Sequence, residues 1–586
     1  MKGSIVRRSI VLASIACVLS LIAFAARGAQ PAPIHDPDVA IPMRDGVVLR
    51  ADVLRPAEGR APTLVYRTPY GRRDALAEST TFTRAVERGY AVVVQDVRGR
   101  YGSAGEFRPY EHEGRDGYDT IEWAARQSWS NGRVGTFGLS YPGAVQWLAA
   151  VENPPHLEAM VPAMTFSTPQ NFFYTGGIWD LSWAQWIWTS IADDARARKN
   201  ASRSGESAPR WREVKSRVVR TLPLDRLDDL REIAPYYYDW LHHPPEDAFW
   251  DFAELRHKYG RTRAAVLNLS GWHDDNYGPE GAVTNYLGLL ASRQGRPPRA
   301  ALLIGPWVHG VDATARTKFG DRDFGRAAAI DYDEVVLDWM DRYVGGDSAA
   351  GAVDGARYFV MGDNRWRSSI TWPPPGQDTP YYLSAGGPAP GRGLLTPAPP
   401  AQGTPEQSSF VSRPDDPVVN PYESAGAHDY QALAKRGDVL TFDSAPLTRE
   451  LEVSGPVRVR LFVSCDCRDT DLWARLLDVA PDGTASNLMS PGTDAVRVSY
   501  RDLSKGRQLL SPGEIYEVEL RLVTSNLFAR GHRVRVQVSS TFFPNFSRNL
   551  HTGELETTSS RMQPATIRIH HDSGHPSQVS LHVVER

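Results

Sequence analysis

The chain has little cysteine, no excess charge of either sign and a single long apolar run, which begins near its N-terminus. Three cysteines in 586 residues exclude a disulfide-stapled scaffold, and Cys17, Cys465 and Cys467 do not stand at zinc-ligand spacing. A formal charge of −3 without a basic stripe leaves no electrostatic footprint for a nucleic acid. Internal repeats are absent too, so no solenoid is expected. What remains is a globular composition on a chain too long for one hydrophobic core, so two or three domains are expected.

The apolar run covers residues 10–25, follows Lys2, Arg7 and Arg8, and gives way to small residues up to Ala29. That order is a secretory signal peptide over 1–29, and the run falls short of the ~20 residues of a comfortable membrane span. The expected location is therefore the periplasm or the exterior, with no membrane association after cleavage. Cys17 lies in the run without a lipobox before it. In the mature chain, Cys465 and Cys467 are expected as packing residues, because a Cys-Asp-Cys bridge closes a very small loop.

Residues 36–168 alternate strand and helix signals. Short apolar, β-branched runs at 63–67, 90–96, 133–139 and 160–164 predict buried parallel strands, with helices between them. Over 169–261 strand alternation stops, tryptophans crowd 179–188, and the rest reads as polar helices: an inserted helical cap. Strand runs resume at 264–270 and 300–305, so 262–351 forms the second part of the same α/β core. From 352 to 586 the pattern becomes many short strands between Gly/Pro turns, with period-two alternation at 457–464, 473–479, 516–522 and 534–538. The fold class expected is an α/β-hydrolase core with a doubly wound, mostly parallel sheet, a helical cap and a C-terminal β jelly-roll sandwich.

Ser140 follows the strand 133–139 directly, in Gly138-Leu139-Ser140-Tyr141-Pro142-Gly143. A serine hydroxyl needs a base to take its proton and donors to hold the oxyanion, and a sharp strand-to-helix turn lifts it above the sheet edge for both. The usual elbow is Gly-x-Ser-x-Gly; here the second glycine comes one place late. Strand 264–270 runs into His273-Asp274-Asp275, and strand 300–305 runs into Pro306-Trp307-Val308-His309. Ser140, Asp274 and His309 thus stand at three strand ends in the order nucleophile, acid, base. His273 and Asp275 compete for the same roles. The oxyanion donors expected are the Tyr141 backbone N–H and the Tyr70 hydroxyl, from the loop Thr68-Pro69-Tyr70-Gly71. No metal and no cofactor is expected, since His273-Asp274-Asp275 has no partner histidine at ligand spacing.

Together these residues resemble the X-Pro dipeptidyl-peptidase and cocaine-esterase (CocE/NonD) family of serine hydrolases. The resemblance rests on Met43-Arg44-Asp45-Gly46, Pro69-Tyr70, Asp96-Val97-Arg98-Gly99, the elbow with its late glycine, Gly271-Trp272-x-Asp274 and Gly305-Pro306-Trp307-x-His309. In the last domain it rests on Leu477-Asp478-Val479, Pro481-Asp482-Gly483 and Ser539 through Arg548-Asn549 to Thr552-Gly553. It implies Ser140 as nucleophile, Asp274 as orienting acid, His309 as base, and Tyr70 with the Tyr141 amide as oxyanion hole. It also implies a small-molecule ester or amide substrate. Where α-amino ester hydrolases carry acids after the triad aspartate, and cocaine esterases an aromatic ring, this chain has Asn276 and Tyr277. Trp179, Trp183 and Trp186, with Asn276, are expected to form a pocket for a bulky or aromatic acyl group. The alternatives are an X-Pro dipeptidyl-peptidase or α-amino acid ester hydrolase and β-lactam acylase. A peptidase needs an anion for the free amine, and Asp180, Asp275 or Glu280 could serve. Jelly-roll faces leave room for a homo-oligomer or, in a different functional class, a carbohydrate-binding protein.

Overall fold

The computed structural model describes residues 31–199, 207–295, 297, 299–387, 391–403, 406–491 and 494–585; the expected leader at 1–29 lies outside them. A ten-stranded sheet forms the α/β body from β1 (Ile34–Pro42), β2 (Val48–Arg55), β3 (Ala61–Thr68), β4 (Ala91–Asp96), β5 (Ser130–Leu139), β6 (Leu157–Ala163), β7 (Ala265–Gly271), β8 (Ala300–Gly305), β9 (Gly355–Val360) and β10 (Arg365–Ser369). Their order is β1-β2-β4-β3-β5-β6-β7-β8-β9-β10. From β4 through β3 to β9 the neighbours are parallel, and antiparallel pairs border this stretch on both sides. Every residue of β4, β7 and β8 is buried, as continuous apolar runs require of strands covered on both faces. Helices α1 (Glu113–Ala125), α2 (Tyr141–Ala150), α3 (Glu280–Ser292) and α4 (Tyr332–Met340) lie between the strands, and α2 is buried along its whole length.

The sheet runs past residue 352. β9 pairs in parallel with β8, and β10 returns beside β9. The apolar run Tyr358–Val360 can cover the edge of β8, whereas the first sandwich strand is Gln377–Ser384.

Between β6 and β7 the cap contributes short helices at Ser182–Trp186, Ala192–Arg198, Ser207–Arg220 and Tyr236–His242. Its core is aromatic: the ring centroid of Phe173 lies 4.2 Å from Trp250 and 4.9 Å from both Trp183 and Trp240.

The C-terminal region is a β-sandwich whose backbone is the long antiparallel pair Leu451–Cys465 and Tyr516–Phe528. Two pairs are parallel, Arg392–Thr396 with Leu440–Ser444 and Val418–Val419 with Phe542–Phe543. Strand Asp471–Val479 is buried on both faces, where alternation of buried and exposed residues was expected. The period of two is still present, but it sorts residues between two cores. Leu472, Ala474 and Leu476 enter the main core, while Trp473, Leu477 and Val479 join Tyr430 and Phe542 in a second cluster.

Cys465 and Cys467 correct the packing expectation. Both are buried, but they are joined in a disulfide, their Cα atoms 5.2 Å apart. The chain bends just after the strand ends at Cys465, and this brings the two side chains to one side across a separation that ordinary bridges span. Among the described residues no helix is long and apolar enough to cross a membrane, and no three His, Cys, Asp or Glu side chains are grouped to hold a metal ion.

Candidate active site

The turn at Ser140 has φ 68° and ψ −124°, a left-handed backbone that a non-glycine residue adopts only when its surroundings impose it. The Ser140 N–H donates to the carbonyl of Ala163 at 3.0 Å, and the Ala144 N–H to the carbonyl of Ser140 at 2.8 Å. Both flanking glycines are required by close approach. A Cβ on Gly138 would lie 2.5 Å from Pro142 Cβ, and one on Gly143 would lie 2.7 Å from the carbonyl oxygen of Ala163. The late glycine is therefore where α2 crosses the end of β6.

Asp274 and His309 leave the adjacent strands β7 and β8. The two turns cross so tightly that a Cβ on Gly271 would meet the Trp307 carbonyl oxygen at 2.2 Å. This crossing brings His309 Nδ1 to 2.9 Å from Asp274 Oδ1. The same oxygen accepts the backbone N–H groups of Asn276 at 3.1 Å and Tyr277 at 3.4 Å. With Nδ1 donating to a carboxylate, Nε2 is the basic nitrogen. Burial works to lower the His309 pKa, but the charge and hydrogen bond of Asp274, with the charge of Asp275, outweigh it and raise the pKa above 6.5. The competitors are placed otherwise. His273 is fully buried between the carbonyls of Pro306 and Asn487, and burial pushes its pKa down to about 4, so it is neutral. Asp275 is exposed and does not hold His309 Nδ1.

The Tyr141 N–H stands at the first position of α2. Its ring is buried, stacked on Tyr110 at 4.3 Å, and its hydroxyl donates to Glu113 Oε1 at 2.8 Å. The loop carrying Tyr70 is fixed by Arg100 Nε donating to the carbonyl of Pro69 at 2.8 Å. The indole N–H of Trp186 donates to the Tyr70 oxygen at 3.1 Å, which leaves the phenolic hydrogen available to another acceptor. Burial raises the Tyr70 pKa, keeping it a donor, and the phenol faces Ser140. The phenols of Tyr70 and Tyr277 both face the Ser140 hydroxyl.

Ser140 opens into a cleft of about 680 Å³ between body, cap and sandwich, within the range of small-molecule sites. Trp183, Trp186 and Asn276 line it, as expected from sequence. Trp179 does not, and this is a correction: it is 2 % exposed, packed 5.3 Å from Tyr174 and 5.9 Å from Tyr237. It sits in the two-residue strand Ile178–Trp179, which is folded into the core rather than along the helix that faces the cleft. Asp180 and Asp275 also line the cleft. Tyr277 is a site residue that sequence reasoning missed. It lines the cleft, its phenol meets Ser140, and its ring lies 5.7 Å from that of His309. The signals for it were its place in the turn started by Asp274 and its position where α-amino ester hydrolases carry an acid.

The chain is similar to known hydrolases and peptidases along nearly its whole length. Residues 45–311 match the family model described as X-Pro dipeptidyl-peptidase (S15 family), and residues 352–580 match the X-Pro dipeptidyl-peptidase C-terminal non-catalytic domain. A cocaine esterase from Rhodococcus sp. (strain MB1 Bresler) is 35% identical over 94% of this chain and 98% of its own length. Among solved structures, an α-amino acid ester hydrolase superposes with a TM-score of 0.77 at 26% identity, covering 95% of this chain and 98% of its own. An aminopeptidase from a marine sediment Thaumarchaeota archaeon shares the fold, with a TM-score of 0.78 at 23% identity over 96% of this chain and 98% of its own.

Proposed function

The chain belongs to the X-Pro dipeptidyl-peptidase (S15) and cocaine-esterase family and is a serine hydrolase of esters or amides; from that premise we propose that it favours a carboxylic ester or small amide with a bulky or aromatic acyl group. The observation that carries this reading is the cleft wall beside Ser140, where Trp183, Trp186, Phe172 and Tyr277 stand together. Large rings offer apolar area at little entropic cost.

Ser140 Oγ attacks the acyl carbon as its proton passes to His309 Nε2. The oxyanion takes the Tyr141 N–H and the Tyr70 O–H, and Asp274 steadies the imidazolium. Collapse returns the proton from His309 to the leaving alcohol or amine, giving the acyl-enzyme. Water activated by His309 then repeats the sequence, frees the acid and restores Ser140. Turnover of p-nitrophenyl benzoate against p-nitrophenyl acetate tests the acyl preference: benzoyl should be the better substrate, and equal or faster acetyl hydrolysis would sink it.

A second reading, an aminopeptidase, is supported by Asp180 and Asp275 in the same cleft. Burial, aided by the charge of Asp275, pushes Asp180 up to about 6, so it is an anion at neutral pH that could hold an ammonium group. X-Pro-p-nitroanilide should then be cleaved only with its amine free; cleavage of the blocked form at the same rate would count against this reading. An exported enzyme is part of the proposal, supported by the Cys465–Cys467 disulfide, since such bonds persist in oxidising compartments.

A further inference from the structure

Asp274 uses only one of its oxygens. Oδ1 accepts from His309, Asn276 and Tyr277, while Oδ2 is buried without a hydrogen-bond partner among the described residues. Both carboxyl oxygens of Glu280 are buried and unpartnered as well. Glu280 opens α3, at the end of the turn that Asp274 begins. The charges that face it are Asp274 from that turn and Asp494 from the sandwich. Asp494 is already paired with Arg475 at 2.8 Å, both side chains wholly buried.

An acid at the start of a helix is ordinarily an anion favoured by the free N–H groups there. Here the Glu280 N–H is the one group favouring that form, against burial and two facing carboxylates. Those effects push the Glu280 pKa up to about 8, so at neutral pH the side chain carries its proton. A neutral carboxyl is a hydrogen-bond donor, and a buried carboxylate oxygen out of reach of bulk water needs one.

We propose that Glu280 is a positioning residue of the triad: as the neutral acid it gives its O–H to Asp274 Oδ2 across one buried water, and so fixes the carboxylate that orients His309. The inference rests on the Asp274–His309 assignment above. Its consequence is an alkaline limit to catalysis. Ionisation of Glu280 removes the donor and sets a second anion against Oδ2, so kcat should fall as the pH rises past about 8.

Glu280→Gln keeps an N–H donor and cannot ionise; Glu280→Leu keeps the bulk and loses the donor. The glutamine variant should hold kcat within about threefold of the native enzyme at neutral pH and keep its plateau about a unit and a half beyond the native decline. The leucine variant should lose about tenfold or more in kcat, with KM moving much less. A glutamine variant with the native alkaline decline, or a leucine variant with native kcat, would overturn the proposal. Fluorophosphonate labelling of the native enzyme separates the two readings, because an unlabelled native protein defeats the triad assignment itself. Should either variant fail to fold, infrared spectra of the native protein serve. A protonated-carboxyl band should vanish between about pH 7 and pH 9.5, where Asp180 and Asp494, each pushed up to about 6, are already ionised. Absence of that band overturns the proposal.

Discussion

In the sandwich, Arg497 lies buried between Asp471 at 2.8 Å and Glu556 at 2.9 Å. Asn549 donates to Asp471 and Ser547 to Glu556, so each carboxylate is held by several donors. In the α/β body, Asp274 is equally buried but holds three donors on one oxygen and none on the other, beside a histidine that it binds through Nδ1. Both clusters are hydrogen-bonded acid–base groups removed from water, yet one is closed and the other is left open. A closed cluster has every carboxylate oxygen engaged and serves to fix the packing of strands. An open one retains a basic nitrogen and an unsatisfied oxygen, which is what proton transfer and its control require. The contrast lies in how the donors are distributed and in the cation: arginine stays protonated, whereas histidine can take and give a proton.

Four variants sharpen or break that contrast. Ser140→Ala should cost about 10⁴-fold or more in kcat and abolish fluorophosphonate labelling, with the melting temperature unchanged; a labelled variant would break the comparison at its functional end. Arg497→Met should leave two buried carboxylates uncompensated and lower unfolding free energy by about 3–5 kcal/mol, read by denaturant titration, while kcat in the surviving folded protein stays near native. If its effect appeared in kcat alone, the closed cluster would not be structural. Tyr70→Phe should reduce kcat by about 10²–10³-fold through loss of one oxyanion donor, with little change in stability. Replacing both Cys465 and Cys467 by serine should cost about 1–2 kcal/mol of stability, because the loop they close is very short, and nothing in turnover. The native pH profile offers a check on the same site. His309 must be neutral to accept a proton, so kcat/KM should fall as the pH drops through a value above 6.5, with the charge of Asp274 setting that displacement against the pull of burial.

The parts of the fold that sequence made legible are those governed by local pattern. Runs such as Ala91–Asp96 and Ala300–Gly305 are apolar without alternation because both faces are covered, and that reads as a parallel strand before any partner is known. The turn at Ser140 was legible because glycines flank it where only glycine fits. Trp179 and Trp183 looked alike in sequence, since nothing local says which ring turns into the cap core and which toward the cleft. Strand Asp471–Val479 was misread for a related reason: alternation shows that two faces differ, but not that the second is also covered. The sequence offered Tyr277 only as the replacement of an acid that α-amino ester hydrolases carry, and Glu280 only as an anion for a free amine. One was a turn residue and the other the first residue of a helix, and only the packing of β7 against β8 and of the sandwich against α3 turned them toward the site.

The sequence by itself determined the order of the strands' chemistry: a serine, an acid and a histidine, each following an apolar run that had to be a buried strand. It did so because hydrophobic periodicity and glycine at close approaches are local, and each survives in any fold that buries those runs. Tertiary structure alone decided that Asp274 and not Asp275 meets His309, that Trp186 steadies Tyr70, and that Cys465 bonds Cys467. It also decided that Glu280 lies between Asp274 and a sandwich carboxylate more than two hundred residues away. Distances, desolvation and the count of donors per oxygen are properties of elements brought together from across the chain, and no window of sequence contains them.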